Sequence, residues 1–272
     1  MKKIIVLILL IIMPFNVFAS SIVMDADNGD VLYSSSIHKK HLIASTTKIL
    51  TAMVVINNSN LDDVITIDND VLKSYGSSIY IEPGENISIR DLLYGLMLRS
   101  GNDAAYVLAK HIGGSMEGFS IYMNELASSI GMKDSKFFNS SGLDEKEENI
   151  STAYDMALLM RYAMNNEEFK RITSTKEYKV KTNKKTYIWY NKNKLLTMYK
   201  YTTGGKTGYT KKAHRTLVTS ASKNNHNLII VTLNEVDDFN FHKNMYELYF
   251  NKLGNTKKVS FFSKMREYFT LF

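Results

Sequence analysis

The sequence predicts an α+β fold: one antiparallel sheet is built from both ends of the chain, and a mainly helical block is inserted between them. Three observations carry this. Apolar residues alternate just after residue 20 and again after Thr173, whereas a helical period fills the stretch between. Asn28-Gly29 and Lys223-Asn224-Asn225-His226 punctuate the strand-like ends as hairpin turns do. The 272 residues contain two prolines, Pro14 and Pro83, and no low-complexity run, so no linker divides the chain.

Element by element, residues 1–19 read as an export leader. Lys2 and Lys3 precede the apolar run Ile4 to Met13, then come Pro14 and the small residues Val17 and Ala19 of a cleavage site. As a helix the run would cross only about half a bilayer. Residues 20–254 then form one folded domain, with 255–272 as a tail. Ile22-Val23-Met24 and Val31-Leu32-Tyr33 are strands of a hairpin whose Asn28 and Gly29 both need positive φ. A helix runs from about Ser45 to Ile56, with Ile49, Leu50, Met53 and Val54 on its apolar face. Ser88 and Asp91 open a second helix, Ser100-Gly101 breaks it, and Asn102-Asp103 begins another that ends at Gly113-Gly114. A further helix covers Met116 to Ile130, closed by Gly131, and the next covers Thr152 to Met164 with Ser151 as N-cap. Tyr178–Lys181 with Thr186–Tyr190, and Arg215–Ala221 with Asn227–Leu233, form two hairpins before a last amphipathic helix from Phe239 to Leu253.

Composition excludes several function classes. Hydrophobic residues at 44% and charged ones at 22% suit a globular core. The absence of cysteine removes disulfides, zinc thiolates and cysteine nucleophiles. The net charge of +7 suits anionic surfaces or carboxylate substrates. The Lys- and Tyr-rich stretch from Tyr178 to Tyr201 reads as a solvated hairpin rather than a nucleic-acid site, because an exported protein meets little nucleic acid. None of the six histidines has metal-ligand spacing, so no metal or other cofactor is expected. Gly205-Lys206-Thr207 lacks the preceding glycine of a phosphate loop, since Lys200 stands in that position.

Serine chemistry fits better. It needs a hydroxyl, a base within reach and donors for the oxyanion. In Ser45-Thr46-Thr47-Lys48 the hydroxyl and the amine fall one helical turn apart. Such a lysine acts as base only when desolvation or a second cation keeps it neutral. S-x-x-K also occurs at Ser36/Lys39 and Ser220/Lys223, and S-x-N recurs at Ser222-Lys223-Asn224, so neither motif is specific alone. The ordered set is specific: S-x-x-K opening a helix, Ser100-Gly101-Asn102 at a helix break, Lys206-Thr207-Gly208 entering a strand.

With these motifs, and with Met24–Tyr33, Ser151–Ala157 and Gly205–Thr210, the chain from Ile22 to Leu253 resembles the low-molecular-mass penicillin-binding proteins that are serine D-alanyl-D-alanine carboxypeptidases. The resemblance implies a β-lactamase/DD-peptidase-like fold. It also implies the peptidoglycan stem peptide as substrate and β-lactams as covalent inhibitors. By position it makes Ser45 the nucleophile, Lys48 its base and Ser100 the proton relay to the leaving group. It gives Asn102 the substrate amide, and Lys206 and Thr207 the substrate carboxylate. Gly208 and Tyr209 complete the substrate-binding set, with the backbone N–H groups of Ser45 and Tyr209 as oxyanion hole.

The chain departs from the family at three places: Asn149-Ile150 stands where relatives read His-Tyr, Ala213-His214 where they read Ala-Gly, and Phe241-His242-Lys243 where an arginine is common. Arg215 and Lys243 are the cations available in its place. Two rival readings are a class A-like β-lactamase, disfavoured because no E-x-x-L-N element follows Asn102, and a catalytically weak peptidoglycan-binding homologue. In the tail, Phe262, Met265, Phe269 and Phe272 share a helical face near Lys257, Lys258, Lys264 and Arg266, a pattern suited to a membrane surface or to the protein's own.

Overall fold

The computed structural model describes residues 19–144 and 147–269, with side chains through Gly254. Residues 1–18 of the expected leader (1–19) lie outside the described residues, as do the side chains of the tail's expected apolar face. From the N-terminus, strands β1 (Ser20–Asp25) and β2 (Val31–Ser35) form the first hairpin. Its loop departs from expectation: Gly29 takes positive φ (86°) but Asn28 does not, because five residues, 26–30, rather than two connect the strands. After β3 (His41–Leu42) comes a 3-10 turn, Ala44–Thr47, that feeds α1 (Lys48–Asn58). The predicted apolar face of α1 is buried throughout. Strands β4 (Val64–Thr66) and β5 (Asn86–Ser88) form a small ribbon, and Ser88 caps α2 (Ile89–Tyr94) by accepting from Asp91 N at 3.0 Å. A π-helical turn, Gly95–Arg99, then leads into the break at Ser100.

Beyond the break lie α3 (Asn102–Gly113), α4 (Met116–Ser129) and β6 (Ile150–Ser151), which pairs with β3. Helix α5 (Ala153–Ala163) is capped by Thr152, which accepts from Asp155 N at 3.1 Å, and not by Ser151. Ser151 is held as a strand residue opposite His41, with its hydroxyl 2.7 Å from that of Ser135. Helix α6 (Glu167–Ser174) is not among the expected elements, because its polar composition hides the buried trio Phe169, Ile172 and Thr173. The expected hairpins follow as β7 (Glu177–Lys181) with β8 (Thr186–Tyr190), the short α7 (Leu195–Met198), and β9 (Thr202–Thr210), β10 (His214–Lys223) and β11 (His226–Leu233). Helix α8 runs unbroken from Asp238 to Phe269, so its backbone carries on past the predicted end at Leu253.

The main sheet has the order β2-β1-β11-β10-β9 with every pair antiparallel, so strands from both chain ends meet at β1 and β11 as predicted. Its residues alternate between two cores. Ile22, Met24, Val218, Ile229 and Val231 face the helical block, whereas Val23, Leu217, Leu228 and Ile230 pack with Tyr246 and Phe250 of α8. A sheet covered on both faces explains why β1 is buried almost along its whole length. Strand β9 is left at the edge, and this edge faces the 3-10 turn.

Candidate active site

Ser45 sits within the 3-10 turn and Lys48 is the first residue of α1, so the turn's tight rise sets one above the other. Lys48 Nζ lies 3.1 Å from Ser45 Oγ, and it donates to Asn102 Oδ1 at 2.8 Å and to the Ser141 carbonyl at 2.6 Å. A neutral amine has two N–H donors and one lone pair. Asn102 and Ser141 take the two donors, which leaves the lone pair for the Ser45 hydroxyl. Lys48 is wholly buried, and that burial holds its pKa well below the usual lysine range, reinforced by the charges of Lys206 and Lys192 and opposed by Asp103. Desolvation and a second cation are the two causes that a neutral catalytic lysine requires.

Ser100 takes the left-handed conformation (φ 64°, ψ 36°) that ends the π-helical turn. Its Oγ is buried and has no hydrogen-bond partner among the described residues. Asn102 is the first residue of α3, and its amide is engaged at both ends, Oδ1 by Lys48 and Nδ2 by the Tyr75 carbonyl at 2.6 Å. In this arrangement Asn102 therefore orients Lys48, beyond the substrate contact expected of it. Between them, Gly101 is required sterically: a Cβ there would stand 2.8 Å from Asp103 Oδ1 and 3.1 Å from Ile79 Cγ2.

Strand β9 closes the other side. Lys206 is buried, donates to the Thr207 carbonyl at 2.8 Å, and has its pKa lowered to about 7 by burial and then by Lys192. A Cβ on Gly208 would meet Thr216 Oγ1 at 2.3 Å and Ser45 N at 3.0 Å, so only glycine lets this edge approach the turn so closely. Thr207 is half-buried beside it, and Tyr209 stands on the rim, 66% exposed. The structure thus brings Ser45, Lys48 and Asn102 into one hydrogen-bonded group, sets Gly208 of β9 against the Ser45 amide and places the Lys206 charge within reach of Lys48, with Ser100 two residues before Asn102 and Thr207 and Tyr209 flanking Gly208.

Residues 16–237 match the family profile described as peptidase S11, D-alanyl-D-alanine carboxypeptidase. The chain belongs to this family. Among relatives, D-alanyl-D-alanine carboxypeptidase DacF of Bacillus subtilis is 34% identical over 218 residues, covering 78% of this chain and 56% of its own. DacB2 of Mycobacterium tuberculosis is 33% identical over 213 residues, covering 78% of this chain and 73% of its own. Among solved structures, the Streptomyces K15 DD-transpeptidase superposes with a TM-score of 0.75 at 32% identity, over 78% of this chain and 88% of that one. The carboxypeptidase of M. tuberculosis H37Rv gives 0.76 at 32%, over 79% and 81%. The DD-peptidase fold expected from the motifs is the fold observed. The chain spans little more than half the length of the Bacillus relative.

Several residues of this S11 site escaped the sequence reading. The Ser141 carbonyl binds Lys48, but a backbone acceptor leaves no mark on residue type; the only signal was the Asn139–Gly142 turn, where Asn139 Oδ1 accepts from Gly142 N at 2.7 Å. Asn149, one of the departures from the family pattern, supports the site directly. Its Nδ2 donates to Thr47 Oγ1 at 3.1 Å and to the Asn139 carbonyl at 2.7 Å, tying the Ser141 loop to the Ser45 turn. Lys192 is exposed and donates to Ser77 Oγ at 3.2 Å, and partial desolvation beside Arg99 lowers its pKa.

Its hairpin is solvated on one face, as expected, where Lys179 and Lys181 are exposed, but the other face is covered. Val180, Tyr187 and Trp189 are buried, and the Tyr178 ring stacks on Tyr94 at 3.6 Å. Of the cations proposed to replace the family arginine, Arg215 is committed to Asp238 Oδ1 at 2.6 Å, and Lys192 instead is the charge that acts on Lys206. His242 is buried behind the sheet, its ring between the hydroxyls of Thr219 at 2.7 Å and Thr232 at 3.0 Å.

Proposed function

We propose that this chain is an exported serine D-alanyl-D-alanine carboxypeptidase that trims the peptidoglycan stem peptide on the outer side of the cytoplasmic membrane. Ser45 Oγ attacks the carbonyl carbon of the penultimate D-alanine while its proton passes to neutral Lys48. The oxyanion forms between the backbone N–H groups of Ser45 and Tyr209. Collapse breaks the C–N bond, Ser100 relays a proton to the departing amine of the terminal D-alanine, and an ester remains on Ser45. Water, deprotonated by Lys48, hydrolyses the ester and returns the hydroxyl. Lys206 and Thr207 receive the terminal carboxylate, whose negative charge restores the full charge of Lys206 on binding.

One observation supports this reading above the others: the buried Lys48 amine, 3.1 Å from Ser45 Oγ and held by Asn102 Oδ1 and the Ser141 carbonyl. The same constellation would accept a β-lactam carbonyl and hold it as an acyl-enzyme. A fluorescent penicillin tests this. Covalent label recovered on the Ser45 peptide supports the reading, and absence of label at saturating reagent contradicts it.

A further inference from the structure

Next to Asn102 lies a buried carboxylate to which the three motifs give no role. Asp103 is 2% exposed and makes no ion pair among the described residues. It is satisfied by one loop and by its own helix, where Ala104 N donates to Oδ1 at 2.9 Å. Ser78 Oγ donates to its Oδ2 at 2.5 Å, Tyr80 N at 2.8 Å and Ile81 N at 3.3 Å, while Ile79 N lies 3.1 Å from both oxygens. Successive backbone N–H groups converging on one anion form a nest, and here the protein's own side chain fills it. The cost to the loop is visible at Tyr80, a non-glycine residue in the left-handed region (φ 62°) with its side chain 74% exposed.

The same loop holds Asn102. Its Ser77 carbonyl accepts from Asn102 N at 2.7 Å, and its Tyr75 carbonyl accepts from Asn102 Nδ2 at 2.6 Å. With Nδ2 fixed on that carbonyl, Oδ1 must face the Lys48 amine. A flipped amide would set oxygen against oxygen at Tyr75 and donor against donor at Lys48. The glycine at 101 belongs to the same device, since its missing side chain makes room for Asp103 Oδ1.

We propose that Asp103 is a positioning residue for the general base: its carboxylate fastens loop 75–81, and the loop orients Asn102 toward Lys48. This rests on the reading of Lys48 as the base of Ser45. The charged groups that act on Lys48 are Lys206 on β9, Lys192 beyond β8 and Asp103 on α3, and Asp103 is the only one among them that favours the protonated amine.

Asp103→Asn keeps the shape and removes the charge. The acylation rate constant for fluorescent penicillin is expected to fall about tenfold or more. The acid limb of its pH profile should move to lower pH by about half a unit, because a neighbour that stabilised charged Lys48 is gone. A slower variant with an unmoved limb and a lowered Tm would mean a purely structural carboxylate and would overturn the proposal. Ser78→Ala leaves the charge and removes one fastening of the loop, so the test survives if the asparagine variant fails to fold. Its acylation should slow several-fold with the limb in place, and a wild-type rate would overturn the proposal. The unmodified protein is labelled in parallel. Failure to label at all strikes the catalytic reading itself, whereas normal labelling with unaffected variants strikes only the role of Asp103.

Discussion

At the residue scale, the account turns on two buried lysines held away from their ordinary charge. Lys48→Arg keeps a cation but cannot act as base, because a guanidinium does not lose its proton in proteins. Acylation should fall by about 10²–10⁴-fold, read as the rate of label incorporation at fixed penicillin. Lys206 carries a cost in stability. Its folded pKa of about 7 lies below the 10.5 of an exposed lysine, so the unfolded chain binds the proton more readily. Its contribution is therefore intact above pH 10.5 and lost as pH falls toward 7. Lys206→Met should raise stability at neutral pH by on the order of a few kcal/mol in denaturant titrations while lowering kcat/KM for a D-Ala-D-Ala peptide. The motifs made these residues legible because catalysis constrains side-chain type at short spacing. Ser141 and Lys192 stayed hidden, the first because a carbonyl is common to every residue, the second because its loop meets the site only after folding.

At the element scale, the reaction depends on how closely β9 approaches the turn before α1. Gly208 sets that distance. Gly208→Ala would press a methyl group against Thr216 Oγ1 and the Ser45 amide. The strand edge must retreat, and the oxyanion donors on its two sides must part. Acylation should drop by roughly 10²-fold with a stability loss of about 1–3 kcal/mol, measured by labelling rate and urea midpoint. Strand and helix positions were largely readable from periodicity, since each main element buries one or both faces. Two of the errors share one cause. Ser151 looked like a cap and is bound instead by a strand partner from residue 41, and the five-residue loop around Asn28-Gly29 follows the spacing of its strands rather than the dipeptide. Long-range pairing overrode the local signal in both cases.

At the scale of the whole molecule, two cores share one sheet, and the site lies where its edge strand meets the helical block. The α8 core behind the sheet contains His242, whose burial lowers its pKa to about 3. The neutral ring between two threonine hydroxyls is the folded form, whereas the unfolded chain takes a proton near 6.5. His242 therefore contributes fully above pH 6.5, and its contribution declines as pH falls from there toward 3. Thermal unfolding monitored across that range should show Tm falling with pH, and His242→Gln should flatten the decline. A Tm independent of pH in the parent protein would remove this role. The central claim, that a Ser45 hydroxyl activated by Lys48 performs peptide cleavage, is tested most directly by D-alanine release from a diacyl-D-Ala-D-Ala peptide, with Ser45→Ala beside the parent. The parent is expected to release D-alanine with turnover and the variant to fall to background. Equal release by both would contradict the account.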